Sequence, residues 1–403
     1  MVTLQDIQAA RDRIRGNVIE TPCPLSFPFS ELCGARIYFK LENLHPTGSF
    51  KERGAANKLA LLSREDRSRG VIAASAGNHA QGVAIHAQRL RIPCTIVMPE
   101  TSPLVKVSAT KRYGAKVVLH GVNFDDAFAE ARRLEAEGNL VFVHAFDDEQ
   151  IIAGQGTAAL EILEQVPDVD VVVCSIGGGG LLGGMAIALK ALKPKVRIVG
   201  VESAQLPKMQ KAIAAGAPVV IPAATSIADG IAIRRAGDHT LPLCRDLVDQ
   251  IVTVDDEEVA NAILLLIERE KTIAEGAGAV ATAALLQRRV PGLTPSTNVV
   301  CVVSGGNIDV NLISRIIERG LVKEGRRVML AVRVPDRPGS LAGILGTVAA
   351  ERANVIEIHH ERAFLQGPVG DTEILLTLET KGAEHVEALK TALSTKGYKV
   401  VQR

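Results

Sequence analysis

The sequence predicts an α/β protein of open, mostly parallel sheets, followed by a small C-terminal unit of the ferredoxin-like βαββαβ type. Three observations predict it. Short apolar runs alternate with helical stretches over about the first 320 residues, the pattern of parallel strands covered by helices on both faces. Hydrophobic residues make up 47% of the 403, yet aromatics are 3% and there is no Trp, so the core must be built from Val, Ile, Leu and Ala. Near Gly320 the alternation gives way to strand, helix, strand, strand, helix, strand.

Residues 3–15 read as an amphipathic helix, because Thr3 and Asp6 are spaced for a capping box and Leu4, Ile7 and Ile14 share a face. Residues 21–28 are rich in proline and read as loop, and 36–41 as a strand. Further strands are expected at 71–74, 94–98, 116–119, 141–144, 171–174, 197–201, 251–254 and 299–303, with helices between them, including 125–137 and 257–271. Residues 1–320 thus form one large part made of two α/β subdomains. Residues 321–327, polar and basic, read as a linker. The small unit, 328–403, has expected strands at 328–334, 355–362, 372–380 and 398–401 and helices at 340–352 and 383–394.

Charge excludes some classes of function. Lys and Arg number 46 and Asp and Glu 45, well mixed, so neither a nucleic-acid nor a membrane-surface role is expected. The uncharged stretch 171–189 carries six glycines where a strand should turn into a helix, which suits a buried β-loop-α unit better than a bilayer span. Residues 1–16 are charged and lack the apolar core of a signal peptide, and a cytoplasmic location is expected. Six cysteines (Cys23, Cys33, Cys94, Cys174, Cys244, Cys301) are scattered without a CxxC pair and read as reduced core thiols. No Cys/His spacing supports zinc, and no metal is expected.

Four motifs are candidates for chemistry. The first is Thr47-Gly48-Ser49-Phe50-Lys51-Glu52-Arg53-Gly54, where Ser49 is placed to cap a helix running from Phe50. A charged lysine in the first turn opposes the helix dipole at a cost of about a few tenths of a kcal/mol. An amine kept neutral or tied up covalently avoids that cost. Taken alone, the octapeptide also describes a surface lysine beside Glu52 and Arg53. The second motif, Ser75-Ala76-Gly77-Asn78-His79-Ala80-Gln81-Gly82, follows an apolar strand, and its exposed amides suit a carboxylate or phosphate. An ordinary βα turn, with His79 as a structural histidine, fits it too.

The third, Gly177-Gly178-Gly179-Gly180-Leu181, lets backbone amides converge on a phosphate at a helix start. It also satisfies GxGxxG through Gly178, Gly180 and Gly183, with Glu202 at the end of the next strand, so a nicotinamide dinucleotide site and tight helix-strand packing stay open. The fourth, Ser304-Gly305-Gly306-Asn307, puts a serine at the end of a parallel strand, in the usual ligand crevice or as a plain cap.

The set, in this order, resembles the serine/threonine dehydratase family, which uses pyridoxal 5′-phosphate (PLP) on the tryptophan-synthase-β-like fold (PLP fold type II). The resemblance rests on SFKERGA around Lys51, SAGNHAQG from Ser75, GGGGL from Gly177 and SGGN from Ser304, and it spans residues 1 to about 320. It implies that Lys51 carries the cofactor as a Schiff base and serves as the catalytic base. It implies that Asn78 bonds the ring hydroxyl, that Gly177, Gly178, Gly179, Gly180 and Leu181 hold the phosphate, and that Ser304 faces the pyridine nitrogen. Ser75, Ala76, Gly77, Asn78 and His79 would grip the substrate carboxylate. Racemase relatives carry a second serine where Ala76 stands, so racemisation is expected to be feeble.

The C-terminal unit resembles an ACT domain through Val334-Pro335-Asp336-Arg337-Pro338-Gly339-Ser340-Leu341. The resemblance implies an amino-acid effector, isoleucine or valine, held by Asp336, Gly339 and Leu341, or else a role in assembly alone. The activity implied is α,β-elimination that deaminates L-threonine to 2-oxobutanoate and ammonia, and L-serine to pyruvate, within amino-acid metabolism such as isoleucine biosynthesis, by a homo-oligomer (dimer or tetramer). The alternatives are an NAD-dependent dehydrogenase using Gly178, Gly180 and Gly183, and a catalytically silent amino-acid sensor.

Overall fold

The Val-rich runs Val171–Ser175 and Asn298–Val303 are buried along their whole length, which places both in the middle of a sheet covered on two faces. The computed structural model describes residues 1–362, 368 and 370–403. The chain divides into two units, Met1–Ile308 and Asp309–Arg403.

In the first unit the strands are β1 (Leu25–Ser26), β2 (Arg36–Leu41), β3 (Val71–Ala74), β4 (Cys94–Met98), β5 (Lys116–Leu119), β6 (Val141–Phe142), β7 (Val171–Ser175), β8 (Arg197–Ser203), β9 (Gln250–Val254) and β10 (Asn298–Val303). They form a six-stranded sheet of order β1-β2-β10-β7-β8-β9 and a four-stranded sheet of order β5-β4-β3-β6. Every pairing is parallel except that of β1 with β2. In the larger sheet β10 and β7 are neighbours although 127 residues separate their first positions (298 minus 171), so the chain reverses its direction of growth there. A crevice opens beyond the strand ends at such a switch point. The loops after β7 and β10 are the two glycine motifs.

Glycines set how closely the covering helices approach. A Cβ on Gly154, in the helix Glu149–Gln165, would lie 2.6 Å from the Arg53 carbonyl oxygen and 2.6 Å from the Cα of Gly54, in the helix Lys51–Ala60. A Cβ on Gly184, in the helix Gly180–Leu192, would lie 2.3 Å from the Ile152 carbonyl. The helix that begins with Lys51 is thereby held backbone to backbone against the rest of the unit. The core is aliphatic: Ile7, Leu160, Leu182, Met185, Ile198 and Val302 belong to one buried cluster under the larger sheet.

Several expectations need correction. Residues 21–28 are not all loop: Leu25–Ser26 pairs with β2, and Ser26 caps the helix Phe27–Cys33 by accepting the Phe29 amide. Proline is tolerated there because it falls in the first helical turn. The strand expected at 141–144 stops at Phe142, because His144 Nδ1 accepts the amides of Phe146 and Asp147 and turns the chain. The helix expected over 257–271 is Asp256–Leu265, followed by a π turn at Leu266–Glu270.

The second unit begins at Asp309, earlier than the expected boundary at residue 320, with the helix Val310–Lys323. Residues 321–327 are therefore the last turn of that helix and a tight turn at Gly325 (φ +69°), where the Arg326 amide returns to the Leu321 carbonyl. Next come β11 (Arg327–Pro335), the helix Ser340–Ala350, β12 (Asn354–Glu361), β13 (Asp371–Glu379), the helix Ala383–Thr395 and β14 (Lys399–Gln402). The sheet order is β12-β13-β11-β14 and all pairings are antiparallel, which is the ferredoxin-like plait.

Candidate active site

The loop before Lys51 is laid against the loop after β10. The Gly306 amide donates to the Gly48 carbonyl (2.9 Å), the Phe50 amide to the Ser304 carbonyl (3.2 Å), and Ser49 pairs with Gly305 as an isolated bridge. Gly48 has φ +75°, and a Cβ there would meet Asn307 Oδ1 at 2.4 Å, so no larger residue fits. Ser49 is not the expected cap. The helix starts at Lys51 with no side-chain cap, and the Ser49 hydroxyl is buried without a hydrogen-bond partner.

Lys51 is therefore the first residue of its helix. Its Nζ donates to the Ala145 carbonyl (2.8 Å) and lies 5.0 Å from the centre of the Phe50 ring. Burial pulls its ammonium down to about 8, and the nearby Glu275 carboxyl opposes that shift. A substantial share of this amine is thus neutral near physiological pH, as a nucleophile or base requires.

Asn78 opens the helix Asn78–Leu90 and sits at the centre of a hydrogen-bonded chain. Its Nδ2 donates to Glu275 Oε1 (2.7 Å), and its Oδ1 accepts from Asn307 Nδ2 (2.8 Å), which also donates to the Thr47 carbonyl (2.6 Å). That chain ties the Lys51 loop, the loop after β3 and the loop after β10 together. Glu275 was not singled out in the sequence. It is 5% exposed, immediately before the helix Gly276–Leu286, and burial pushes its carboxyl up to about 8, with Asp229 adding to the shift and Asn78 opposing it. The sequence signal for it is a glutamate directly ahead of an uncharged helix of small and aliphatic residues.

Ser304 is buried, its Oγ 3.3 Å from both Ser175 Oγ and the Ala277 carbonyl oxygen. Ser75 Oγ accepts the Gly77 amide (3.1 Å), and Ala76 packs on the apolar cluster of the smaller sheet. The His79 side chain does not reach the site. Its Nε2 donates to the Val143 carbonyl (2.9 Å), and burial, with Lys51 adding to it, pulls its pKa down to about 3, so the imidazole is neutral and structural.

The tetraglycine turn is built for close approach. Gly179 has φ +93°, and a Cβ on Gly178 would fall 2.1 Å from the Phe146 ring. The helix Gly180–Leu192 starts there, and its first amides have no partner within the helix. The dinucleotide alternative fails at Glu202, which is fully buried and already accepts the amides of Met209 (2.8 Å) and Gln210 (3.0 Å), so it is not free for a ribose. Gly183 is a packing glycine, its missing Cβ 3.2 Å from Leu243.

In the second unit Asp336, Gly339 and Leu341 line one cleft of ≈ 390 Å³ with His360, Arg362 and Thr372. Asp336 is paired there with Arg362 (Oδ2 to Nε 2.7 Å), which holds its carboxyl below the usual range.

Residues 14–305 match the model of the pyridoxal-phosphate dependent enzyme family, and residues 328–395 match that of the ACT domain. The chain belongs to the pyridoxal-phosphate dependent enzyme family. Its fold is PLP fold type II, with an ACT domain at the C-terminus. It is 48% identical over 401 residues to an L-threonine ammonia-lyase of Thermotoga maritima (99% of each chain) and 49% identical over 394 residues to one of Geobacter sulfurreducens (98% of each). Among solved structures it resembles maize serine racemase (TM-score 0.75, 34% identity, 80% of this chain and 99% of that one). It also resembles the processed form of threonine deaminase isoform 2 from Solanum lycopersicum (TM-score 0.73, 37% identity, 78% and 91%).

The residues present fit the family's cofactor. A Cβ on Gly178 or Gly180 would collide with Phe146, the residue after the Ala145 carbonyl that receives the Lys51 amine, so the glycine turn packs tightly beside an amine with a depressed pKa, and a hydroxyl, that of Ser304, rather than a carboxylate directly follows β10. Among the described residues no helix is long and apolar enough to cross a membrane.

Proposed function

We propose that this chain deaminates L-threonine to 2-oxobutanoate and ammonia by PLP-dependent α,β-elimination, that it also converts L-serine to pyruvate, and that a branched-chain amino acid at the ACT domain regulates it. The observation that carries the chemistry is Lys51, an amine lowered to about 8 at the junction of three motif loops. The near end-to-end relatedness to two L-threonine ammonia-lyases supplies the substrate. The test is 2-oxo acid formation from L-threonine, L-serine and 3-hydroxyaspartate, with and without isoleucine and valine. No 2-oxobutanoate from L-threonine would end the reading.

When bound, PLP supplies an aldehyde for the substrate amine and a ring that takes up the electron pair left at Cα. Lys51 would hold the cofactor through Nζ, and the freed neutral Nζ would take the α-proton. The backbone amides of Gly177, Gly178, Gly179, Gly180 and Leu181 would hold the phosphate at the helix start. Asn78 would turn its amide from Glu275 to the ring hydroxyl. The loop of Ser75, Ala76, Gly77, Asn78 and His79 would receive the substrate carboxylate with its amides, the His79 ring staying on Val143.

Ser304 would face the ring nitrogen with a neutral hydroxyl. A carboxylate there would keep the nitrogen protonated and prolong the life of the electron pair, which favours transamination over elimination. Ser304→Asp is expected to raise the ratio of transaminated cofactor to 2-oxobutanoate, followed by absorbance during turnover. An unchanged ratio would remove Ser304 from the control of partitioning.

In the ACT domain, Asp336 would take the effector amine, in exchange with Arg362, and the amides through Gly339 would take its carboxylate, with Leu341 beside its side chain. Asp336→Asn is expected to abolish the response of the lyase to isoleucine or valine while leaving basal turnover within about twofold, since the group is not in the catalytic unit. A full response in this variant would leave the domain a role in assembly. We place the protein in the cytoplasm as a homo-oligomer. Six free thiols suit a reducing compartment, and the edge strand β12, with Ile356 and Ile358 exposed, offers a pairing surface.

A further inference from the structure

We infer that the Lys208 ammonium is a built-in cation that positions the glycine loop, and that removing it opens a site for a monovalent cation. This rests on the reading that the loop holds the cofactor phosphate. Lys208 is fully buried at the start of the helix Lys208–Ala215, the charge of a side chain that elsewhere seeks water. Its Nζ donates to the carbonyls of Ile176 (2.7 Å) and Ile231 (3.2 Å) and lies 3.3 Å from Glu202 Oε1. An ammonium offers three N–H donors and no acceptor, and it meets three oxygens here. Burial draws its pKa down and Glu202 opposes that shift. A neutral amine would leave its lone pair among acceptors.

The oxygens belong to the frame of the phosphate loop. Ile176 directly precedes Gly177, and the missing Cβ of Gly177 would lie 3.4 Å from the Ile231 side chain. Glu202 is fixed on its far side by the amides of Met209 and Gln210. Lys208 thus pins the backbone on both sides of the first glycine while touching none of Lys51, Asn78 or Ser304. It is a positioning residue.

Charge selects the class of ion. Two neutral carbonyls and one carboxylate carry a single negative charge, which a monovalent cation balances. A divalent ion would leave an uncompensated positive charge in the interior. An all-oxygen set suits potassium or ammonium rather than a soft metal.

The test compares wild type, Lys208→Ala and Lys208→Met. PLP affinity is followed by absorbance titration and Tm by thermal unfolding, in chloride salts of choline, lithium, potassium and ammonium at equal ionic strength. In choline, Lys208→Ala is expected to bind PLP about tenfold more weakly than wild type, the worth of a lost charged hydrogen bond. In potassium or ammonium its affinity and its Tm should return to near the wild-type values. Lys208→Met, whose side chain fills the space without charge, should stay weak in every salt. Wild type should show no preference among the salts.

A loss in Lys208→Ala that is equal in all salts overturns the inference. So does equal rescue of Lys208→Met, or a potassium requirement in wild type. Lys208→Ala that refolds in none of the salts, ammonium included, overturns it as well. Failure of the functional reading looks different: wild type itself would then not bind PLP.

Discussion

Replacing Lys51 with alanine is expected to lower L-threonine turnover by about 10³-fold or more, since a positioned base alone is worth about 10²–10⁴-fold and the covalent hold on the cofactor goes with it. The variant should fold, because the side chain contributes a hydrogen bond to the Ala145 carbonyl and a contact with Phe50 rather than a packed core. Its pH signature is separable from its rate. Burial lowers the Lys51 ammonium from 10.5 to about 8, so the neutral amine accumulates as pH rises through that value. The rate at which cofactor-free wild type takes up PLP should therefore climb with pH and level off above about 8. An ordinary lysine would still be gaining neutral amine up to 10.5. Loading can be read from visible absorbance and turnover from 2-oxobutanoate. Activity in Lys51→Ala within about tenfold of wild type would take Lys51 out of the chemistry.

The contrast between Lys51 and Glu275 shows what local sequence carries. Lys51, Asn78, the glycine turn and Ser304 are legible because each sits where a strand ends or a helix begins, and glycine or a small residue marks that change over a few positions. The strands themselves are legible for a related reason: β3, β4 and β10 are short, mainly apolar and mostly buried runs whose ends coincide with a change of residue type. Ala145 carries no such mark, Glu275 has only the start of an uncharged helix behind it, and the motif that contains Asn307 does not name the partners of its side chain. Their places in the site depend on partners far along the chain, 197 residues for the Asn78–Glu275 bond and 229 for Asn307–Asn78. Only the tertiary fold brings those pairs together. His79 errs in the opposite sense. Its position in the loop after β3 is legible, but the direction of its ring is decided by an acceptor at Val143, which sequence does not point to.

Register errors have the same origin. Ser49 matches the pattern of a cap, yet pairing with Gly305 takes its backbone away from the helix start. The short pairing of Leu25–Ser26 with β2 overrides a proline-rich passage, because proline limits where a helix can begin rather than whether one follows. The second unit is more fully legible than the first. All its neighbours in the sheet are within one short domain, so binary patterning and turn residues specify it without long-range help.

Arg53→Met is expected to cost about 3–5 kcal/mol of stability, because it leaves two buried carboxylates short of their shared partner. Arg53 is fully buried two residues beyond Lys51. Its Nε and Nη2 donate to Glu42 (2.6 and 2.7 Å), its Nη2 also donates to Glu161 (2.8 Å), and Nη1 donates to Thr157 (3.2 Å). Lys40 donates to Glu161 (2.5 Å) and to the Thr21 carbonyl (2.6 Å), so two positive and two negative charges balance in the wild type. Without Arg53 one negative charge is left over. The wild-type network holds the Glu42 carboxyl well below its ordinary 4.5, with Arg53 the leading attraction against the cost of burial. Its contribution to stability is therefore present above 4.5 and is lost as pH falls through the lower folded value. In Arg53→Met that attraction is gone and burial raises the carboxyl instead, so taking up a proton relieves the unpaired charge. The deficit relative to wild type should be largest at neutral pH and shrink as pH is lowered towards about 5. Urea unfolding of both proteins at several pH values measures this directly. PLP affinity should fall in parallel, since the helix that starts with Lys51 is anchored through this guanidinium. A deficit below about 1 kcal/mol, or one that does not change with pH, would mean that the close backbone packing of Gly54 against Gly154 holds the helix without the ion network.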